Sequence, residues 1–413
     1  MSKVNGYPSG WVSSTLSKHI DLLTGFAFKS SEYKEQGIRL LRGDNVMQNN
    51  IRWDDAKFWD ENSYEELSRY QLKEHDIVIA LDRTWVKAGL KVSVIRKRDI
   101  PSLLVQRVAR LRAKSTLNQS FLSYIVRSHR FEQMAKFSKT ETAVPHISPS
   151  DIRNFKIELP SLLEQRNIAK ILELWDNAIE KTEALIAAKE KQFEWLTSNL
   201  INRAGHKRTA ASGLMTEISK RNKNSTIERV LSVTNHSGFV LPEEQFERRV
   251  ASANVSNYKV VEQGQYAYNP SRINVGSIAR LDDWENGILS PMYVVFKLDT
   301  KKVCSDYFLH WLNSSEARQR IKNSAQGSVR ETVSFKDLGA IDIPLPAMDV
   351  QKDVTCKLNL AQKEISLLKK TLEQYRSQKR GLMQKLLTGE WQVNCTQPDA
   401  EGARQELSKE GFA

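Results

Sequence analysis

The sequence predicts an α+β chain made of two similar units and two long helices. Three observations carry this. First, framework residues recur at an offset of 186 positions: Ser148, Asp151, Ile152 and Ile157 pair with Ser334, Asp337, Leu338 and Ile343. The run Glu158-Leu159-Pro160-Ser161-Leu162-Leu163-Glu164-Gln165 likewise returns as a second proline element, Ile343-Pro344-Leu345-Pro346, followed by Gln351. Second, each proline element is followed by a heptad run, and the same offset keeps the two runs in phase. Third, the residues ahead of the first helix mix strand-like runs with turns, which fits α+β better than a wound parallel sheet. Duplicated halves joined through long helices imply two similar working ends held a set distance apart.

Residues 1–160 form the first unit. Within it, 77–81 and 90–95 read as strands, punctuated by Gly89 and the Asp99-Ile100-Pro101 step. Residues 121–137 carry apolar side chains at helical spacing and read as one helix. Residues 161–204 are the first long helix. One heptad row is Ile168, Trp175, Thr182, Lys189, Leu196, and the other is Leu172, Ile179, Ile186, Phe193, Leu200. The second row is wholly apolar, as a coiled-coil seam requires. The second long helix, 347–391, repeats the rows as Val354, Ala361, Leu368, Tyr375, Leu382 and Leu358, Ile365, Leu372, Lys379, Leu386. Such a run also suits a helix buried on one side of a globular domain, but two in-phase copies favour pairing with each other. Gly205 and Gly389 are placed to cap the two helices. The polar, basic stretch 205–226 reads as a linker, 227–346 as the second unit, and 392–413 as a polar tail.

Charge narrows the function. The chain carries a formal +13, which favours a polyanionic partner over an acidic small molecule. Lys and Arg outnumber Asp and Glu by 26 to 18 in residues 1–160, whereas 227–346 hold 14 of each, so a nucleic-acid surface in the second unit must come from local placement. Cys304, Cys356 and Cys395 fit neither a disulfide framework nor a CxxC metal pair, and a reducing cytoplasm is the expected setting. No GxG or GxxxxGK[ST] phosphate loop occurs. Asn269-Pro270 is similar to the start of an adenine methyltransferase motif, but Ser271 stands where a second proline belongs. The seven histidines form no metal-spaced or nucleophile-paired cluster.

The order of variable unit, proline element with Gln165, long helix, second variable unit, Pro346 with Gln351, and a helix ending Leu386-Leu387-Thr388-Gly389 resembles the specificity subunit of type I restriction-modification enzymes. The resemblance is closest in the second unit, at Tyr266-Ala267-Tyr268-Asn269-Pro270-Ser271-Arg272-Ile273-Asn274-Val275-Gly276, at Ser290-Pro291-Met292-Tyr293 and at Gly327-Ser328-Val329-Arg330. It implies two target recognition domains reading a split, asymmetric DNA site, with the helices as an antiparallel coiled-coil spacer. It further implies two adenine-N6 methyltransferase subunits docked on the helices, and restriction subunits joining later. The chain itself would bind no cofactor, with S-adenosylmethionine, ATP and Mg on the partners. Met348-Asp349-Val350, where an acid usually precedes the glutamine, and Thr182 and Lys189 in the first seam depart from the family pattern. Two other readings stand beside this one: a methyltransferase or nuclease in its own right, and a coiled-coil scaffold.

Base readout needs Arg, Asn, Gln, Ser or Thr on loops that can enter a groove. The first unit offers Arg42 and Asn45; Arg83, Thr84, Trp85 and Lys87; and Thr140, Thr142 and His146. The second offers Asn254, Asn257, Tyr268, Asn269, Ser271, Arg272, Asn274, Ser328, Arg330 and Thr332. By the repeat offset His146 lies opposite Thr332, a difference that two readers of unlike sequences require. Arg272 and Arg330 are the strongest candidates, flanked by turn-forming residues. Tyr268 and Trp85 suit either stacking or a core. Across 91–114, Lys91, Arg96, Lys97, Arg98, Arg107, Arg110, Arg112 and Lys114 face a single acid, Asp99, a density that suits phosphate contact.

Overall fold

The strand Ile77–Ala80 is apolar without interruption because both of its faces are covered. In the computed structural model, which describes residues 3–4, 7–8, 10–86, 89–137, 146–242, 255–325 and 332–393, Ile77 and Ile79 pack with Leu16, Leu111 and Phe121. Val78 and Ala80 join Val46, Leu104 and Val108 on the other side. The chain divides into two compact units, Met1–Lys181 with Leu372–Ala413, and Thr182–Thr371.

The central sheet of the first unit runs Val92–Val94, Ile77–Ala80, Val108–Ala113, Ile20–Thr24, each neighbour antiparallel. The second unit repeats this order with Ile278–Arg280, Tyr266–Tyr268, Val294–Leu298 and Met215–Ile218. The duplication reaches individual hydrogen bonds. Buried Gln165 accepts the Asn118 N–H at 2.8 Å and donates to the Pro160 carbonyl at 3.0 Å. Gln351, 186 residues on, accepts the Cys304 N–H at 2.8 Å and donates to the Pro346 carbonyl at 2.8 Å. Asn118 and Cys304 are themselves the residues that open Gln119–Ile125 and Ser305–Leu312, so each glutamine ties a long helix to the domain helix beside it. Ser148 with Asp151 and Ser334 with Asp337 close matching capping boxes.

Three expectations need correction. The apolar run 121–137 is two helices, Gln119–Ile125 and His129–Phe137, because the Ser128 hydroxyl accepts the Phe131 N–H and starts a new helix. The strand expected at 90–95 is Val92–Val94, while Gly89–Leu90 pairs separately with Trp85–Val86. The supposed linker 205–226 belongs to the second unit. Arg208–Ala210 pairs with Asp342–Pro344 and Met215–Ile218 with Val295–Leu298, and Ala211, Leu214 and Met215 are buried in the core. Polar residues dominate that stretch because strands with one open face need few apolar anchors.

The long helices are Leu162–Thr197, continued by a π turn Ser198–Asn202, and Met348–Leu387. Gly389 adopts φ 69° after the second, the left-handed conformation expected of its cap. In the first unit Ile168 and Leu172 pack with Leu382 and Leu386, whereas further along Trp175 meets Tyr375 edge-on at 5.7 Å, so the helices run antiparallel. In the second unit Lys189 pairs with Glu364 at 2.9 Å, and Phe193, Leu196 and Leu200 pack with Leu358 and Val354, again antiparallel. Every residue of the two heptad rows is buried or half-buried, Ile179, Ile186, Ile365 and Leu372 among them.

Candidate nucleic-acid interface

In the first unit three segments meet where the central strand Ile77–Ala80 ends. The Leu81 N–H donates to the Arg107 carbonyl at 2.8 Å, and the Ile147 N–H donates to the Leu81 carbonyl at 3.0 Å. Asp82 and His146 pair across the second of these junctions. The Asp82 carboxylate lies 3.0 Å from Nη1 of Arg107 and 2.6 Å from Nδ1 of His146. An ionised carboxylate only accepts, so Nδ1 is the donor in this contact. Arg83 and Arg107 hold φ of 47° and 66°, conformations that non-glycine residues rarely adopt and that concentrate at functional sites.

Cationic groups gather round this junction. Arg83 is exposed, and the Lys136 ammonium stands 4.4 Å from the centre of the half-buried Trp85 ring. Lys91 is buried, with its pKa lowered first by desolvation; Asp44 opposes that fall, and Arg83 and Arg52 deepen it. Such a surface suits a polyanion, since cations on exposed loops supply affinity while their geometry supplies register.

In the second unit the equivalent loop follows the strand Tyr266–Tyr268. The Asn269 side chain accepts the Ser271 N–H at 3.0 Å, the Arg272 carbonyl accepts the N–H of Ser277 at 3.1 Å, and Gly276 closes the loop at φ 95°. Ser271, Arg272 and Val275 are exposed, and Asn274 is half-buried. The Val333 N–H donates to the Pro270 carbonyl at 3.1 Å, which brings the half-buried Thr332 beside this loop, as Ile147 brings His146 in the first unit. Asn257 is exposed on a separate turn, its carbonyl held by Arg221 at 2.8 Å.

Several expected contacts are internal instead. Asn45 is buried, with its side chain accepting the Arg42 N–H at 3.1 Å and donating to the Arg52 carbonyl at 3.0 Å. Arg42 donates to the Asp55 carbonyl at 2.8 Å, so this loop uses its polar groups to hold its own turn. Thr84 and Tyr268 are buried, the tyrosine as part of the second unit's core. Of the basic run, Lys91 is inside, Arg110 pairs with Asp21 at 2.6 Å, and Arg112 pairs with buried Asp76 at 2.8 Å. Lys87, Thr140, Thr142, Asn254, Ser328 and Arg330 lie outside the described residues. Asp82 and Lys136 are not among the sequence-predicted residues, because a carboxylate is no donor and Lys136 lies on a helix; the signal for Asp82 is an acid directly beside Arg83 in a basic unit.

Among the described residues no group of three or more His, Cys, Asp or Glu could hold a metal, and no helix is long and apolar enough to cross a membrane. A sequence model of the type I restriction modification DNA specificity domain matches residues 8–189. The specificity subunit of the type I restriction enzyme MjaVIII from Methanocaldococcus jannaschii is 33% identical over 203 residues, 49% of this chain and 47% of that protein. The EcoAI specificity subunit from Escherichia coli is 33% identical over 200 residues, 47% of this chain and 34% of that protein. The chain thus spans about half or less of the length of these two relatives. A type I restriction-modification S subunit from M. genitalium shares the fold, with a TM-score of 0.58 at 16% identity over 94% of this chain and 98% of that one.

Proposed function

We propose that the chain is a specificity subunit of the type I restriction-modification family, and that each of its units reads one half of a split, asymmetric duplex DNA target. The observation that carries this is the contrast between a repeated framework and unrepeated loops. Gln165 and Gln351, the two capping boxes and the two sheet orders coincide, while the loops at the same strand end carry Asp82, Arg83 and His146 in one unit and Asn269, Arg272 and Thr332 in the other. Equal scaffolds with unequal reading side chains suit two different half-sites.

The subunit is non-catalytic in this proposal. The long helices dock two adenine-N6 methyltransferase subunits and, through them, restriction subunits, and S-adenosylmethionine, ATP and Mg act on those partners. Leu174 and Trp195 on the first helix and Leu360 and Leu367 on the second are more than half exposed, apolar surface that a docked partner would cover.

If the helices also set the distance between the half-sites, adding one heptad to each at matched positions should change it. Seven residues lengthen a helix by about 10 Å, roughly three base pairs at 3.4 Å each. The preferred spacing should grow by that amount while both half-site sequences stay the same. Affinity should fall somewhat, because three base pairs rotate one half-site by nearly a third of a turn. Binding to duplexes that differ only in spacer length checks this, and an unchanged optimum contradicts it.

A further inference from the structure

We propose that Asp82 is the positioning residue of the first unit's reader: its carboxylate holds Arg107 and His146 as one rigid pair, with Arg107 set against a guanine. The inference rests on the half-site reading above and adds which side chains do the reading in the first unit and for which base. Arg107 leaves 72% of its side chain exposed, and Asp82 32%. A pair so open to water adds little to stability, and Arg107 also sits at φ 66°, which an L residue adopts only at a cost. The φ belongs to the turn that the Val108 N–H closes on the Val105 carbonyl at 3.2 Å and so fixes where Arg107 leaves the backbone, and the open ion pair fixes where its guanidinium ends.

The chemistry follows from donor geometry. A free arginine on a loop must surrender its rotamer freedom when it binds, so a neighbouring carboxylate that fixes the guanidinium beforehand strengthens and sharpens binding. Asp82 engages Nη1, leaving the other guanidinium donors for the O6 and N7 acceptors that only guanine offers together in the major groove. His146 occupies the second carboxylate oxygen at 2.6 Å and, being on a separate segment, holds the carboxylate independently of Arg107. A carboxylate near phosphates is repelled unless paired, and here both oxygens face donors. Asp82 therefore acts through its neighbours.

The test uses the full chain, Asp82→Asn, Asp82→Glu, Arg107→Ala and the Asp82→Asn/Arg107→Ala double variant, with dissociation constants measured for the selected duplex and for duplexes changed at each position in turn. Wild type should prefer guanine at one position of one half-site by about tenfold or more. Arg107→Ala should abolish that preference, and Asp82→Asn should reduce it to a few-fold. The other half-site should stay as strict in both. Asp82→Glu, which can still reach the guanidinium, should recover part of the discrimination, and the double variant should be no worse than Arg107→Ala alone. An Asp82→Asn protein that keeps every preference, loses affinity for all sequences alike, or adds its full effect to that of Arg107→Ala overturns the proposal. A wild-type chain with no split-site preference would instead overturn the half-site reading, so the two failures are distinct.

Discussion

Replacing Leu372 by glutamate should destabilise the protein by several kcal/mol. Leu372 is 7% exposed in the helix seam, three residues before Tyr375, which meets Trp175. The substitution removes a buried leucine, worth about 2–5 kcal/mol in a core, and introduces a carboxylate that must be desolvated or protonated. For a unit of this size the melting temperature should drop on the order of 10 °C or more. Leu367→Glu is the control. That side chain, on the same helix, is 54% exposed, and its substitution should leave melting nearly unchanged. Equal melting of the Leu372 variant and wild type would mean that the helices do not pair through the heptad rows.

The second large effect is expected at Asp176. Its carboxylate accepts the Tyr124 hydroxyl at 2.8 Å and pairs with the Lys379 ammonium, which lies over the Tyr124 ring. Burial is the main cause that lowers the pKa of Lys379, with Asp176 opposing the shift. Asp176→Ala leaves that ammonium and the hydroxyl without their acceptor. The loss should be about 2–3 kcal/mol, less than for a fully buried pair because Asp176 keeps 38% of its side chain exposed. Lys379→Met should cost less, since it removes the charge and keeps the packing, while Tyr124 still satisfies the carboxylate. Combining Asp176→Leu with Lys379→Met should return most of the stability. Chemical denaturation of the set checks the order, and equal losses from Asp176→Ala and Lys379→Met would refute it.

The repeat and the heptads made much of this architecture legible from sequence. Gln165 and Gln351 stood out because a buried amide with three backbone partners leaves little room for another residue. The seam rows were readable because apolar spacing near 3.5 residues has few other meanings. Its polar members were not, since nothing local says that Lys379 meets Asp176 or that Lys189 meets Glu364. The polar start of the second unit was hidden for a related reason: three anchors, Ala211, Leu214 and Met215, sit among residues whose composition suits a linker.

The proposed reading surface was the least legible part. Arg, Asn and Thr hold tight turns with the same kinds of hydrogen bond that read bases, so Asn45 and Arg42 stand as candidates behind Arg272 in sequence, and only the fold marks them as internal. Tyr268 was ambiguous because an alternating Tyr-Ala-Tyr strand suits a stacking platform as well as a core. The positive φ of Arg83 and Arg107 left no local mark, because neither is glycine or asparagine.

The claim that two units read two half-sites is tested most directly by selecting bound duplexes from a random library, with wild type and Arg272→Ala side by side. Wild type should return two short specified blocks separated by an unspecified stretch of fixed length. Arg272→Ala should relax roughly 1–3 kcal/mol of discrimination at one position of one block and leave the other block as strict as before. A single contiguous block, no preferred sequence, or relaxation spread over both blocks would contradict the account.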